Sequence, residues 1–130
     1  MAHILVVDDI KDITDTVQMI LEDAGHTVDI VNSAKDAKEL LRTKQYNLMI
    51  TDILMPEESG INLIDDVHKD TNINKPDKII AISGGGPTMD PQVALGAASF
   101  KVDQQIKKPF TKDTLLTAVE TLLSAQKTGT

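Results

Sequence analysis

The chain has 130 residues, a formal net charge of −7 and a pI near 4.8. A chain of this length fits one domain, and its negative charge disfavours nucleic acids and anionic membrane surfaces as partners. Because the sequence has no cysteine, disulfides and thiolate metal sites are excluded. No apolar run reaches the roughly 18 residues of a membrane span, and no signal-peptide pattern follows Met1. A cytoplasmic protein without membrane insertion is therefore expected.

Apolar patterning predicts alternating strands and helices in the first half of the chain. The run 4–7 is typical of a strand covered on both faces, and the helix after it has its apolar face from Ile10 onward and ends at Gly25. A second strand at 26–31 precedes a helix for which Ser33 and Asp36 resemble a capping box. The third strand, NLMIT at 47–51, leads through a loop with proline and glycine to a helix at 61–69.

The second half of the chain has weaker signals. KIIAIS at 78–83 predicts a fourth strand, which the glycine-rich segment GGGP follows, and the next helix is predicted to begin near Pro91. Residues 104–107 are predicted as a short fifth strand in spite of their low strand propensity. Thr111 is predicted to cap a last helix with one apolar face, and residues 127–130 are expected to form a disordered tail.

Five strand–helix units without a hairpin signal predict one α/β domain over residues 1–126, with no output domain. Right-handed crossovers then give a doubly wound (βα)5 fold, in which a parallel five-stranded sheet has helices on both faces. Ligands of such sheets bind outside the carboxyl ends of the strands. The residues that follow the strands are therefore the candidates for chemistry.

Polar residues cluster in the sequence at these strand ends. They are Asp8 and Asp9 after the first strand, Asp52 after the third, Ser83 after the fourth, and Lys107, Lys108 and Pro109 after the fifth. Each has a simpler alternative. Asp8 or Asp9 alone could be the N-cap of the first helix, Ser83 could be a loop hydroxyl, and a lysine at a strand end is usually a solvated charge.

The conjunction of these residues favours a metal-dependent phosphoryl site. Two carboxylates about 5 Å apart repel by roughly 3 kcal/mol at an effective dielectric near 20, so a cluster of three favours a divalent cation, and Mg²⁺ in particular. Asp52 could then attack a phosphoryl group as a carboxylate nucleophile, with a lysine neutralising one phosphoryl oxygen and Ser83 donating to another. No general base is needed, because a carboxylate is already ionised at neutral pH.

Four segments, HILVVDD, MITDILMP, IIAIS and KKPF, together resemble the receiver domain of two-component response regulators over essentially the whole chain. The segment from Ser83 through GGGP resembles stand-alone receivers of the chemotaxis-regulator kind. The resemblance implies a flavodoxin-like fold with strand order 2-1-3-4-5. It also implies a histidine kinase or histidine phosphotransfer protein as donor, a downstream target protein, a monomeric state, and no enzymatic activity beyond slow autodephosphorylation.

The resemblance also implies a role for each site residue. Asp52 would be the phosphoacceptor, with Asp9, Asp52 and the backbone carbonyl of Leu54 as direct Mg²⁺ ligands and Asp8 acting through water. The residues implied to bind the phosphoryl group or to switch with it are Ser83, Gly84 and Lys108, with a cis peptide before Pro109. Gln105 stands where the family usually has an aromatic residue, so rotation of a large ring cannot be the switch here.

Three alternatives share parts of this pattern. A flavin-binding, flavodoxin-like carrier would need a phosphate loop where Asp8 and Asp9 would repel the phosphate. A haloacid-dehalogenase-type phosphatase needs a second aspartate where Leu54 stands. A pseudo-receiver scaffold would never be phosphorylated, and the presence of Asp9, Asp52, Ser83 and Lys108 argues against it.

Overall fold

A computed structural model describes residues 2–52, 60–83, 102–107 and 110–128 of the chain. From β1 to β4 the strands and helices of the described residues alternate along the chain as predicted. In chain order they are β1 (His3–Val7), α1 (Lys11–Asp23), β2 (Thr27–Val31), α2 (Ala34–Thr43), β3 (Leu48–Asp52), α3 (Gly60–Lys69), β4 (Lys78–Ser83), β5 (Gln104–Lys107) and α4 (Lys112–Thr128).

The five strands form one parallel sheet in the order β2-β1-β3-β4-β5. This order confirms the predicted doubly wound, flavodoxin-like fold. The helix predicted to begin near Pro91 lies outside the described residues, and α4 includes the first two residues of the predicted tail. None of the helices in the described ranges is both long and apolar enough to cross a membrane.

The sheet separates two apolar layers, because successive side chains of a strand point to opposite faces. In β1, Ile4 and Val6 belong to one layer, and Leu5 and Val7 belong to the other. The first layer is completed by residues of α1 and α4, and the second by residues of α2 and α3. These helix residues are Val17, Leu21, Leu115 and Val119 for the first layer and Ala37, Leu41, Leu63 and Val67 for the second.

The helix ends match most of the predicted caps. Ser33 Oγ accepts a hydrogen bond from the Asp36 amide at 3.1 Å, Thr111 Oγ1 accepts one from the Thr114 amide at 3.1 Å, and Gly25 has a φ of 97° just after α1. Ile10 differs from its predicted place on an apolar helix face. It is the N-cap residue of α1 and 48% exposed, because the helix begins only at Lys11.

A polar cluster surrounds Asp29 on the edge strand β2. The hydroxyl of the fully buried Tyr46 donates to Asp29 Oδ2 at 2.7 Å, while His3 Nε2 and Lys44 Nζ lie 2.9 Å and 3.4 Å from the same oxygen. Burial raises the pKa of Asp29, but the hydrogen bonds from Tyr46 and His3 and the charge of Lys44 outweigh it, so that the pKa is lower than usual. Burial and the hydrogen bond to Asp29 raise the pKa of Tyr46.

Replacing Tyr46 by phenylalanine is expected to lower the free energy of unfolding by about 1–3 kcal/mol at neutral pH. The substitution keeps a buried ring but removes a hydrogen bond to a carboxylate that stays in place. Urea unfolding followed by circular dichroism measures the loss. As a control, Lys44→Met removes the ammonium of a half-exposed side chain and should cost at most about 1 kcal/mol. Equal midpoints for wild type and Tyr46→Phe would contradict the prediction.

The loss of unfolding free energy in Tyr46→Phe should depend on pH. Because the pKa of Asp29 is lower in the folded chain than its ordinary value of about 3.9, the ionised carboxylate stabilises the fold fully above that pH. This contribution is lost as the pH falls through the folded pKa. The difference between wild type and Tyr46→Phe should therefore shrink below about pH 4, which urea titrations at a series of pH values can measure.

Candidate metal and phosphoryl site

Three aspartates meet at the carboxyl edge of the sheet. Asp8 and Asp9 follow β1 directly, and Asp52 is the last residue of β3, the strand that pairs with β1. One carboxylate oxygen from each of the three lies within 4.8 Å of the others. Asp8 and Asp52 are buried and Asp9 is exposed, so the cluster has a buried side and a side open to solvent.

Asp8 is held by contacts that join the ends of β1 and β2. Its backbone N–H donates to the Val31 carbonyl at 3.3 Å, its carbonyl accepts from Asn32 Nδ2 at 3.0 Å, and its Oδ1 accepts from the Ile10 amide at 3.0 Å. The N-cap of α1 is Ile10, which has no side-chain cap, so neither Asp8 nor Asp9 is the helix cap. The simpler alternative for these two residues is therefore wrong.

Asp52 is positioned by the central strand β3. All five residues of this strand are buried, and Asp52 pairs with Ile82 of β4 in the sheet register. The hydroxyl of the buried Thr51 donates to the Asp52 backbone carbonyl at 3.0 Å. Strand pairing on both sides of β3 thus fixes the backbone that carries the Asp52 carboxylate.

The donor set of this cluster suits a hard divalent cation. At 4.8 Å, each pair of ionised carboxylates repels by roughly 3.5 kcal/mol at an effective dielectric near 20, and two of the three groups are buried. A cation would relieve this repulsion, and a site of carboxylate oxygens with one open side matches the preference of Mg²⁺ for a few protein oxygens and several waters. The residues present therefore fit Mg²⁺.

The other predicted site residues are only partly described. Ser83 is the last residue of β4 and pairs with Lys107, the last residue of β5, so both reach the carboxyl edge of the sheet. Gln105 is half-buried in β5 opposite Ala81. Leu54, Gly84, Lys108 and Pro109 lie outside the described residues.

Asn32 is a residue at this edge that the sequence did not single out. It follows β2, and its side-chain amide contacts the backbone of Asp8. A polar residue directly after a strand was the signal available, because the same signal selected Asp8 and Asp52.

The fold and this cluster define a doubly wound α/β domain with an acidic site at the carboxyl edge of its sheet. The family model of the response regulator receiver domain matches residues 4–120. The chain therefore belongs to the response regulator receiver domain family, and the predicted family is confirmed.

Curated relatives with similar sequences are response regulators. The chain is 35% identical over 124 residues to the response regulator SaeR of Staphylococcus epidermidis. The matched residues cover 95% of this chain and 51% of the relative. It is 32% identical over 117 residues to the transcriptional regulatory protein DltR of Streptococcus agalactiae. Here the matched residues cover 90% of this chain and 50% of the relative. The chain thus spans about half the length of the curated relatives it matches.

Solved structures of receiver domains have the same fold. A CheY-like response regulator receiver domain from Methanospirillum hungatei superposes with a TM-score of 0.83 at 27% identity, covering 100% of this chain and 99% of that chain. The receiver domain of a signal transduction histidine kinase from Syntrophus aciditrophicus gives a TM-score of 0.82 at 26% identity, covering 96% and 92%.

Proposed function

We propose that this receiver domain accepts a phosphoryl group on Asp52 from a phosphohistidine protein, in a reaction that requires Mg²⁺. The observation that carries the proposal is the cluster of Asp8, Asp9 and Asp52 at the carboxyl edge of the sheet. Family membership supports it, because receiver domains of response regulators interact with histidine kinases. The position of Asp52 also supports the proposal, because this buried residue is the last one of the central strand β3.

The transfer needs one nucleophile and charge neutralisation. A carboxylate oxygen of Asp52 forms a bond to phosphorus while the bond from phosphorus to the donor imidazole nitrogen breaks, and the imidazole keeps the electron pair. When bound, Mg²⁺ supplies positive charge for the phosphoryl oxygens. Asp9, Asp52 and the Leu54 carbonyl would hold the ion, with Asp8 acting through water. Ser83 and Lys108 would contact the transferred phosphoryl group.

The phosphorylated domain would act by contact with other proteins. The donor would be a histidine kinase or a histidine phosphotransfer protein, and a downstream target would recognise the phosphorylated form by a shift between two packings near Ser83. Leu54 stands where a related phosphatase chemistry needs an acid, so the acyl phosphate would persist and the domain would not act as an enzyme beyond slow autodephosphorylation. Phosphotransfer profiling against a panel of histidine kinases would identify the donor.

Incubation with Mg²⁺ and acetyl phosphate tests the acceptor directly. We expect the intact mass to increase by one phosphoryl group, the increase to disappear with hydroxylamine, and EDTA to prevent it. Asp52→Asn should abolish the increase, whereas the matched control Asp77→Asn, an exposed carboxylate before β4, should retain it. A mass increase that survives Asp52→Asn would refute the assignment of the acceptor. The absence of any increase in wild type would favour an unphosphorylated scaffold.

A further inference from the structure

The peptide between Asp8 and Asp9 is oriented by a side chain from a different strand end. Asn32 Nδ2 lies 3.0 Å from the Asp8 carbonyl oxygen, across a separation of 24 residues in the chain. Because a carbonyl oxygen only accepts, the Asn32 amide must present its NH₂ group here, which fixes the orientation of the amide. The contact therefore ties the end of β2 to the two acidic residues after β1.

This contact bears on Asp9 in particular. In the parts of the chain that the structure describes, the Asp9 carboxylate accepts no hydrogen bond, so its direction depends on the backbone from which it projects. The Asp8 carbonyl belongs to the peptide plane that joins Asp8 to Asp9. A fixed carbonyl limits rotation of this peptide plane. It therefore also limits the direction in which the Asp9 Cα–Cβ bond points.

The surroundings of Asn32 are consistent with an effect on the metal site. Asp9 and Asn32 both line an open cleft between α1 and β2, so the two residues lie near one another at this edge of the sheet. Asp8 has two further anchors, the Val31 carbonyl and the Ile10 amide. These anchors hold the Asp8 amide and carboxylate, whereas the Asn32 amide holds the carbonyl that leads to Asp9.

We infer that Asn32 is a positioning residue for Mg²⁺, because it orients the Asp8–Asp9 peptide from which the Asp9 carboxylate reaches the ion. The inference rests on the proposed Mg²⁺-dependent function. Asn32 contacts neither the ion nor the phosphoryl group in this scheme and acts through Asp9. Outer partners of metal ligands typically change metal affinity by about 10- to 100-fold when they are removed, and a contact through the backbone belongs at the lower end.

Mg²⁺ titration of the whole chain by calorimetry tests the role of Asn32. Asn32→Ala should weaken Mg²⁺ binding by about tenfold, and Asn32→Gln, which keeps an amide donor, should restore part of the affinity. The matched control is Asn74→Ala. The Asn74 amide also donates to a backbone carbonyl, that of Lys44, but it lies in the α3–β4 connection. This control should bind Mg²⁺ like wild type.

Two further measurements separate positioning from folding. In EDTA, urea midpoints of Asn32→Ala and Asn74→Ala should fall by similar amounts, and at saturating Mg²⁺ the phosphorylation rate of Asn32→Ala should return to that of wild type. Mg²⁺ affinity of Asn32→Ala within about twofold of wild type would overturn the inference and leave the proposed function intact. An equal loss of affinity in Asn74→Ala would overturn it as well. A wild-type protein that binds no Mg²⁺ would overturn both proposals.

Discussion

Asp52→Asn should raise the free energy of unfolding of the metal-free protein by about 1–3 kcal/mol. The substitution keeps the size and shape of the side chain but removes one of three carboxylates whose oxygens lie within 4.8 Å of one another. Since Asp52 is buried, its charge is poorly screened by solvent, although exposed Asp9 is screened more strongly and reduces the gain. Asp52→Asn removes the proposed acceptor and is therefore expected to make the metal-free domain more stable.

Urea unfolding with and without Mg²⁺ measures this effect. Wild type should be stabilised by Mg²⁺ relative to EDTA, because an ion that binds only the folded chain raises its stability, and Asp52→Asn should be stabilised less. Asp77→Asn removes an exposed carboxylate just before β4, at the opposite end of that strand from the carboxyl edge, and should behave like wild type in both conditions. A lower stability of Asp52→Asn than of wild type in EDTA would contradict this prediction.

Ile50→Ala should lower the free energy of unfolding by about 2–5 kcal/mol. Ile50 is 1% exposed on the central strand β3, where it packs with residues of α1 and α4, so the lost methyl groups leave a cavity that neighbouring strands hold open. Guanidinium or urea unfolding gives the value, and m-values equal to wild type would show that the unfolded state is unchanged.

Two variants calibrate the Ile50 result. Ile50→Val should cost about 0.5–1.5 kcal/mol, because it removes a single methylene from the same place. Met19→Ala on α1 removes a side chain that is 68% exposed and should change the stability by about 0.5 kcal/mol or less. Similar losses for Ile50→Ala and Met19→Ala would contradict the burial of Ile50 in the apolar layer of α1 and α4.

The first and third strands were predictable because a short continuous apolar run is typical of a strand that is buried on both faces. The runs 4–7 and 48–50 are buried on both faces of a parallel sheet, which continuous apolar sequence indicates. β5 was predicted from its place in the chain, and only Ile106 of its four residues is buried. Helical spacing wrongly placed Ile10 on the buried face, since spacing alone does not show at which residue the helix begins.

The acidic site was predictable from topology, whereas its supporting contacts were not. Asp8, Asp9 and Asp52 follow strands that the parallel sheet brings together at one edge. Asn32 acts through a backbone carbonyl, and Tyr46 through a carboxylate 17 residues away in the chain. Such contacts depend on how loops and strand edges approach one another in space. The spacing of apolar residues in the sequence does not predict which residues meet in this way.

The division of the interior by the sheet has a consequence for how such a domain can diversify. Side chains on the α1 and α4 side and those on the α2 and α3 side share few neighbours, so substitutions on one side combine nearly additively with those on the other. A lineage can therefore remodel the helices of one side to recognise a new partner while the opposite side remains unchanged. The acidic residues at the ends of β1 and β3 would keep their positions throughout, because the strands that carry them belong to both halves.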